Sequence, residues 1–271
     1  MNNCTVCPRN CPVDRLHKPG YCKAPIDAVV GSAMVHTGEE RLISGRRGSG
    51  TVFFSGCNLG CVFCQNYDIS QSCYGTVVTV SELTRIFKNL EQRSVHNINL
   101  VTPSHFVPPI AKAIKLAKEN GIRIPFVYNS NGYDALPSLE IMAGLIDIYM
   151  PDLKYADDAL GRRYSDVPDY FTVAQEALKE MHRQVGVPVI ENGIMRKGML
   201  IRHLVMPGLA EDSIRILDWI KTNLPAAVVN LMEQYTPAYK SREYEEINRR
   251  PTSREFMAVK AHFRNLGLKM C

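Results

Sequence analysis

The chain has 271 residues, nine of them cysteine, and its 32 Lys and Arg against 27 Asp and Glu leave a formal charge of +5. A composition of 45% hydrophobic and 22% charged residues excludes disorder, collagen and coiled coil as global descriptions. The length suits one α/β barrel of roughly 200 to 250 residues with an annex, and a positive charge this mild and spread is no nucleic-acid footprint.

Residues 1–45 carry Cys4, Cys7, Cys11 and Cys22 among several prolines and glycines with little periodicity, as expected of a small module held by metal. Thr51-Val52-Phe53-Phe54-Ser55 is a β-branched and aromatic run, hence a strand, closed by Gly56. Ser81 to Arg93 reads as a helix capped by Ser81, with Leu83, Ile86, Phe87 and Leu90 at helical spacing. Asn97 to Thr102 is a strand closed by Pro103, and Pro109 to Glu119 a helix with Gly121 after its end. Ile124 to Tyr128 is a strand running into Asn129-Ser130-Asn131-Gly132, followed by a short helix over Leu136 to Gly144. The strand Ile146 to Met150 leads into Pro151-Asp152-Leu153-Lys154. Thr172 to Val185 is helical, Met199 to Met206 a strand, Asp212 to Asn223 a helix, Ala227 to Met232 a strand and Ser253 to Leu266 a last helix.

This alternation over short connections predicts a parallel sheet with crossover helices. Six strands fit an open, partial (β/α)6 barrel better than a closed one of eight. The expected organisation is an α/β protein with a Cys-rich metal-binding module and lead-in over 1–45, the partial barrel over 46–240 and a helical extension over 241–271.

Two uncharged stretches, 48–67 and 94–111, are broken by glycines and by Pro103, Pro108 and Pro109, so neither is the run of about 20 apolar residues that a membrane span needs. The N-terminus lacks a basic region followed by an apolar one. No signal peptide is therefore read, and a cytoplasmic protein with reduced thiols and no membrane or nucleic-acid partner is expected.

Tight local groups of cysteine in a chain of this kind point to metal rather than to disulfides. The middle group, Cys57-Asn58-Leu59-Gly60-Cys61-Val62-Phe63-Cys64, supplies three close thiolates. Closed tetrahedral zinc and a complete four-thiolate iron-sulfur site both need a fourth ligand. A 4Fe-4S cluster on three cysteines leaves one iron open to a small molecule, and zinc completed by a distant His or Cys is the alternative. The ligands follow the end of a first strand, where barrel-type α/β enzymes build active sites. The first group, Cys4, Cys7, Cys11 and Cys22, is compact enough to fold round one zinc ion or one cluster; unmetallated thiols are the alternative there. Cys73 and Cys271 are single thiols without an assigned role.

The three-cysteine motif, with aromatic Phe63 before its last cysteine, resembles that of the radical S-adenosylmethionine (SAM) superfamily. Residues 44–57 continuing through Gln65-Asn66-Tyr67 look like the cluster-bearing segment of pyruvate formate-lyase activating enzymes. With Cys-Thr-Val-Cys-Pro-Arg-Asn-Cys at the N-terminus, the chain looks still more like their uncharacterised relatives. Asp152-Leu153-Lys154 is similar to that family's SAM-contacting Asp-x-Lys, and residues 201–208 are similar to its fifth-strand segment, which places Arg202 at the catalytic site. The resemblance covers most of residues 36–240. Three departures stand out. Val101-Thr102-Pro103-Ser104-His105 replaces the Gly-Gly-Glu that holds the methionine amino group, so hydroxyls of Thr102 and Ser104 with free carbonyls are expected to accept from it. Tyr235 stands where the activases have His after the sixth strand. The extra cysteines precede the three-cysteine motif instead of following it.

The resemblance implies that SAM chelates the open iron, with Lys154 neutralising its carboxylate. Asn129 and Asn131 are candidate ribose contacts, ordinary turn chemistry before Gly132 being the competitor. Arg202 is a candidate carboxylate or peptide contact, whereas His203 alternates to the other face and is expected to be structural. A flavodoxin or ferredoxin would supply the electron, and the favoured substrate is a glycine Cα of a partner glycyl radical enzyme. A small metabolite or peptide side chain is the alternative target. A non-catalytic iron-sulfur electron carrier or sensor is the alternative class.

Overall fold

The computed structural model describes residues 3–271. Residues 3–27 form turns and one isolated bridge between Cys4 and Cys11, without helix or strand. The chain then runs β1 (Ala28–His36), α1 (Arg41–Ser44), β2 (Ser49–Phe54), α2 (Tyr67–Ser70), β3 (Thr76–Val78), α3 (Val80–Glu91) and β4 (Ile98–Val101). It continues through α4 (Val107–Glu119), β5 (Phe126–Ser130), α5 (Leu136–Met142), β6 (Ile148–Pro151), α6 (Asp158–Ser165), α7 (Tyr170–Val185), β7 (Val189–Glu191) and β8 (Ile194–Leu204). The last elements are α8 (Ala210–Asn223), β9 (Val228–Met232), α9 (Ser253–Asn265) and β10 (Lys269–Met270). No helix among the described residues is long and apolar enough to cross a membrane.

Strands β2, β4, β5, β6, β8 and β9 are neighbours in that order and all parallel, the six expected strands of a partial (β/α)6 barrel. Both edges carry strands that the sequence pattern did not predict. Strand β1 adds antiparallel to β2 and β3 antiparallel to β1, while β10 adds parallel to β9. Residues 28–36, expected inside the N-terminal module, thus belong to the sheet, and the turn-rich segment ends near residue 27. The C-terminal segment likewise returns to the sheet through β10, with α9 packed on α8. Helix α3 is capped by Thr79 and not by Ser81: the Thr79 hydroxyl accepts from the Glu82 N–H while the Glu82 carboxylate accepts from the Thr79 N–H.

Strand period decides which residues reach the site. Val52, Phe54, Leu100, Phe126, Tyr128, Tyr149 and Ile201 face outward and pack with Leu83, Phe87, Ile114 and Leu178 of the helices in the main core. Alternate residues Val127, Ile148, Met150, Leu200 and Val228 form a second apolar layer inside the curve of the sheet, sealed by Ile43 and Met195. One pleat further on, the same inner face turns polar, with Asn129, Asp152, Arg202 and Asn230 toward the C-terminal strand ends. A cavity of about 260 Å3 opens above this layer.

Candidate active site at the C-terminal strand ends

The cavity gathers Cys57, Cys61, Phe63, Cys64, Thr102, Asn129, Asn131, Asp152, Lys154, Arg202 and Tyr235 from six strand ends. Gly56, at φ 79°, turns the chain out of β2 into the loop that carries the three cysteines. Donors converge on their sulfurs. The Leu59 N–H points to Cys57 Sγ at 3.4 Å and Asn131 Nδ2 at 3.5 Å, Ser165 Oγ lies 3.0 Å from Cys61 Sγ, and Ser70 Oγ 3.2 Å from Cys64 Sγ. Burial and the neighbouring Cys61 push the Cys57 thiol up to about 12, and burial also raises Cys61, opposed by the Lys154 ammonium. Among the described residues, no group of three or more His, Cys, Asp or Glu is drawn together to hold a single metal ion; what these three thiols share is a wall of the cavity.

Beside Cys61 stands an ion cluster. Asp152 accepts from Lys154 Nζ at 2.6 Å and from Arg202 Nε at 2.9 Å, and the three side chains are only 17–19% exposed. Burial pushes the Asp152 carboxyl up, but the Arg202 guanidinium and Lys154 ammonium outweigh it and hold the group below the usual carboxylate range. Burial lowers Lys154, and Asp152 and Cys61 more than restore it. Arg202 also donates to Asn129 Oδ1 at 2.7 Å and lies 3.4 Å from Glu39 Oε1. Glu39 itself accepts from Asn99 Nδ2 at 2.7 Å, and burial, against Arg202 and with Glu40 beside it, pushes it up to about 7. Glu40 accepts from Asn230 Nδ2 at 3.0 Å, and its other carboxylate oxygen is buried without a partner.

Several expected contacts are reassigned by this geometry. Ser104 is not on the cavity wall: the 3-10 turn over Ser104–Phe106 carries it behind the strand end, buried beside Asp134 and Tyr128. Asn131 lines the cavity, but its amide is engaged by Asn58 Oδ1 at 2.7 Å and by the Tyr133 N–H at 2.9 Å, so it holds the cysteine loop. Asn129 in turn orients Arg202. Tyr235 presents its ring, 5.9 Å from that of Phe63, while its hydroxyl donates to the Ile247 carbonyl at 2.8 Å; it contributes no polar group to the cavity. Thr102 remains on the wall in a left-handed conformation, φ 59°, a strained state for a β-branched residue. His203 is structural, its ring bridging Leu153 O at 2.7 Å and Ser213 Oγ at 2.8 Å. Cys4, Cys7, Cys11 and Cys22 lie outside the cavity. Glu39, Glu40 and Ser165 were missed because nothing local to them marks a site; partners 60 to 190 positions away create their role.

The model of the Radical SAM superfamily matches residues 51–220. The chain belongs to the radical SAM superfamily. An uncharacterised protein of Methanocaldococcus jannaschii is 35% identical over 265 residues, covering 94% of this chain and 72% of that one. The pyruvate formate-lyase-activating enzyme of Clostridium pasteurianum is 26% identical over 210 residues, covering 73% and 79%. Among solved structures, methylornithine synthase (PylB) has a TM-score of 0.56 at 16% identity, covering 82% of this chain and 63% of that one. Streptococcus suis SuiB bound to precursor peptide SuiA has a TM-score of 0.54 at 15% identity, covering 79% and 45%. This chain therefore spans less than half of SuiB, and both structures show a shared fold alone. Superfamily membership implies a 4Fe-4S cluster and SAM, and the residues present fit them. Three half-buried thiols with hydroxyl or amide groups against their sulfurs suit thiolates held by iron, which would overcome the raised affinity of Cys57 and Cys61 for protons.

Proposed function

We propose that this radical SAM protein cleaves SAM reductively and directs the resulting radical at a glycine Cα of a partner glycyl radical enzyme. When bound, the cluster supplies the electron that splits the sulfonium S–C5′ bond into methionine and a 5′-deoxyadenosyl radical. Cys57, Cys61 and Cys64 would hold it, leaving one iron for SAM. Lys154, beside Cys61, would meet the SAM carboxylate, and Thr102, on the same cavity wall at the end of β4, would accept from the amino group. Asp152 and Arg202 fix that lysine and the cavity floor, and the apolar rings of Phe63 and Tyr235 exclude water. The observation that carries the proposal is the meeting of the three thiols with the Asp152, Lys154 and Arg202 cluster on one cavity. Similarity to the Clostridium pasteurianum activating enzyme favours the glycyl radical target. A flavodoxin or ferredoxin in the cytoplasm would be the electron donor, and the N-terminal cysteines would hold a second metal site.

The test uses anaerobically reconstituted protein, SAM and a low-potential reductant. Wild type should yield 5′-deoxyadenosine, and Cys57→Ala, Cys61→Ala and Cys64→Ala should each lower the yield at least 100-fold; unchanged cleavage in any of them sinks the proposal. Mixing with pyruvate formate-lyase should give a glycyl radical EPR signal. Cleavage without that signal moves the hydrogen donor to a small metabolite or peptide side chain.

A further inference from the structure

The thiols of Cys4, Cys7, Cys11 and Cys22 are neighbours in the N-terminal segment, although they are not drawn onto one point as a single bound ion would require. The Cys4 N–H donates to Cys11 O at 2.9 Å, Cys7 and Cys22 are buried, and the Tyr21 N–H points to Cys11 Sγ at 3.4 Å. Cys7 has the other three as electrostatic neighbours. A segment of 25 residues without helix or strand, enclosing four thiols, has little of its own to fix it except a metal.

Its position is as informative as its composition. The segment grips the back of the loop that carries Cys57 and Cys61. Arg9 Nε donates to Asn58 O at 2.8 Å, and Tyr21 Oη to Asp166 Oδ2 at 2.7 Å, with the Tyr21 hydroxyl so close to Gly60 that a side chain there would collide with it. The Cys22 carbonyl occupies the space that a Cβ on Gly56 would need. Cys22 is thus one backbone contact and one peptide bond from Cys57. None of the four thiols reaches the SAM cavity, so a metal there cannot bind SAM or a substrate lying in it. The half-buried Cys4 instead lines a small surface cavity of about 220 Å3 on the solvent side.

We infer that Cys4, Cys7, Cys11 and Cys22 hold a second 4Fe-4S cluster, which receives an electron from the donor protein and passes it to the cluster at Cys57, Cys61 and Cys64. This rests on the radical SAM reading of the main cavity. The step balances as one electron: a low-potential one-electron carrier protein is oxidised by one electron, iron beside Cys22 is reduced and reoxidised, and iron beside Cys57 is reduced by one. No bond forms or breaks and no proton moves.

Wild-type protein, reconstituted anaerobically, should contain about eight irons and eight sulfides per chain and no stoichiometric zinc. Its reduced form should show two EPR signals, of which SAM changes only one. With reduced flavodoxin as donor, freeze-quenched wild type should develop the SAM-insensitive signal first. In a variant with all four N-terminal cysteines changed to Ala, about four irons should remain and flavodoxin should reduce them at least tenfold more slowly. Zinc, four irons with a single SAM-sensitive signal, or an unchanged reduction rate in the variant overturns the inference and leaves the SAM site intact. Two signals that both ignore SAM would instead overturn the radical SAM reading. The wild-type measurements decide the matter even where the quadruple variant fails to fold.

Discussion

Glu39 is the residue through which the polar floor of the cavity responds to pH. Its carboxyl faces Glu40, Arg202, Asn99 and Asn129, and burial pushes it from 4.5 to about 7. The folded chain therefore binds this proton more tightly than the unfolded chain does. Stability is fully present below pH 4.5 and is lost as pH rises through about 7, by on the order of 3 kcal/mol. Glu39→Gln keeps an oxygen for the two asparagines and supplies an amide donor toward the unpartnered oxygen of Glu40. We expect thermal unfolding between pH 5 and 8 to show a falling Tm in wild type and a flatter profile in Glu39→Gln. A slope that survives in the variant would assign the titration to another group.

At the scale of elements, the joint between the ends of β5 and β6 positions the ion cluster. Gly132 sits at φ 81° with the Asp152 carbonyl where its Cβ would go, and Tyr170 Oη donates to Asn131 O at 2.8 Å while accepting from the Lys154 N–H at 3.0 Å. Gly132→Ala should add left-handed strain and separate the two strand ends, lowering stability by about 1–3 kcal/mol. Urea unfolding would measure that loss, and SAM titration should show at least tenfold weaker binding. The Asn-Gly pair and Asp152-x-Lys154 were legible in the sequence because strand ends bear polar residues after uniform apolar runs. So were all six parallel strands, each bounded by Gly, Pro or polar residues. Strands β1 and β3 were not: β1 mixes exposed and buried positions, and both pair across a sheet edge that only tertiary structure creates. The hydrogen-bond partners of Asn129 and Asn131, which both line the cavity, were not legible for a related reason. Local spacing places an amide at the site, but whether it meets a ligand or a neighbour such as Arg202 or Asn58 depends on loops distant in sequence.

On the scale of the whole molecule, two kinds of stability meet at Gly56. The barrel has a continuous core on the outer face of its sheet and a second apolar layer inside, so it can hold its form by burial alone. Residues 3–27 add Cys22 and Ala24 to that core, lay Val6 against it, and are further tied down by polar contacts, such as Arg15 NH1 to His105 O at 2.5 Å and Ser138 Oγ to Val6 O at 2.6 Å. Such a segment would open independently on loss of the metal proposed for it. Chelation under reducing conditions should therefore speed amide hydrogen exchange in residues 3–27 at least tenfold, about 1.4 kcal/mol of local stability. Strands β4, β5 and β6 should keep the protection of the metal-loaded protein. The cysteine loop leans on both units through Asn58 and Asn131, so its exchange should rise by an intermediate factor. Mass-spectrometric exchange on loaded and chelated protein measures all three regions in one sample. Equal protection of residues 3–27 in both forms would show that Arg9, Arg15 and Tyr21 suffice to hold the segment without metal.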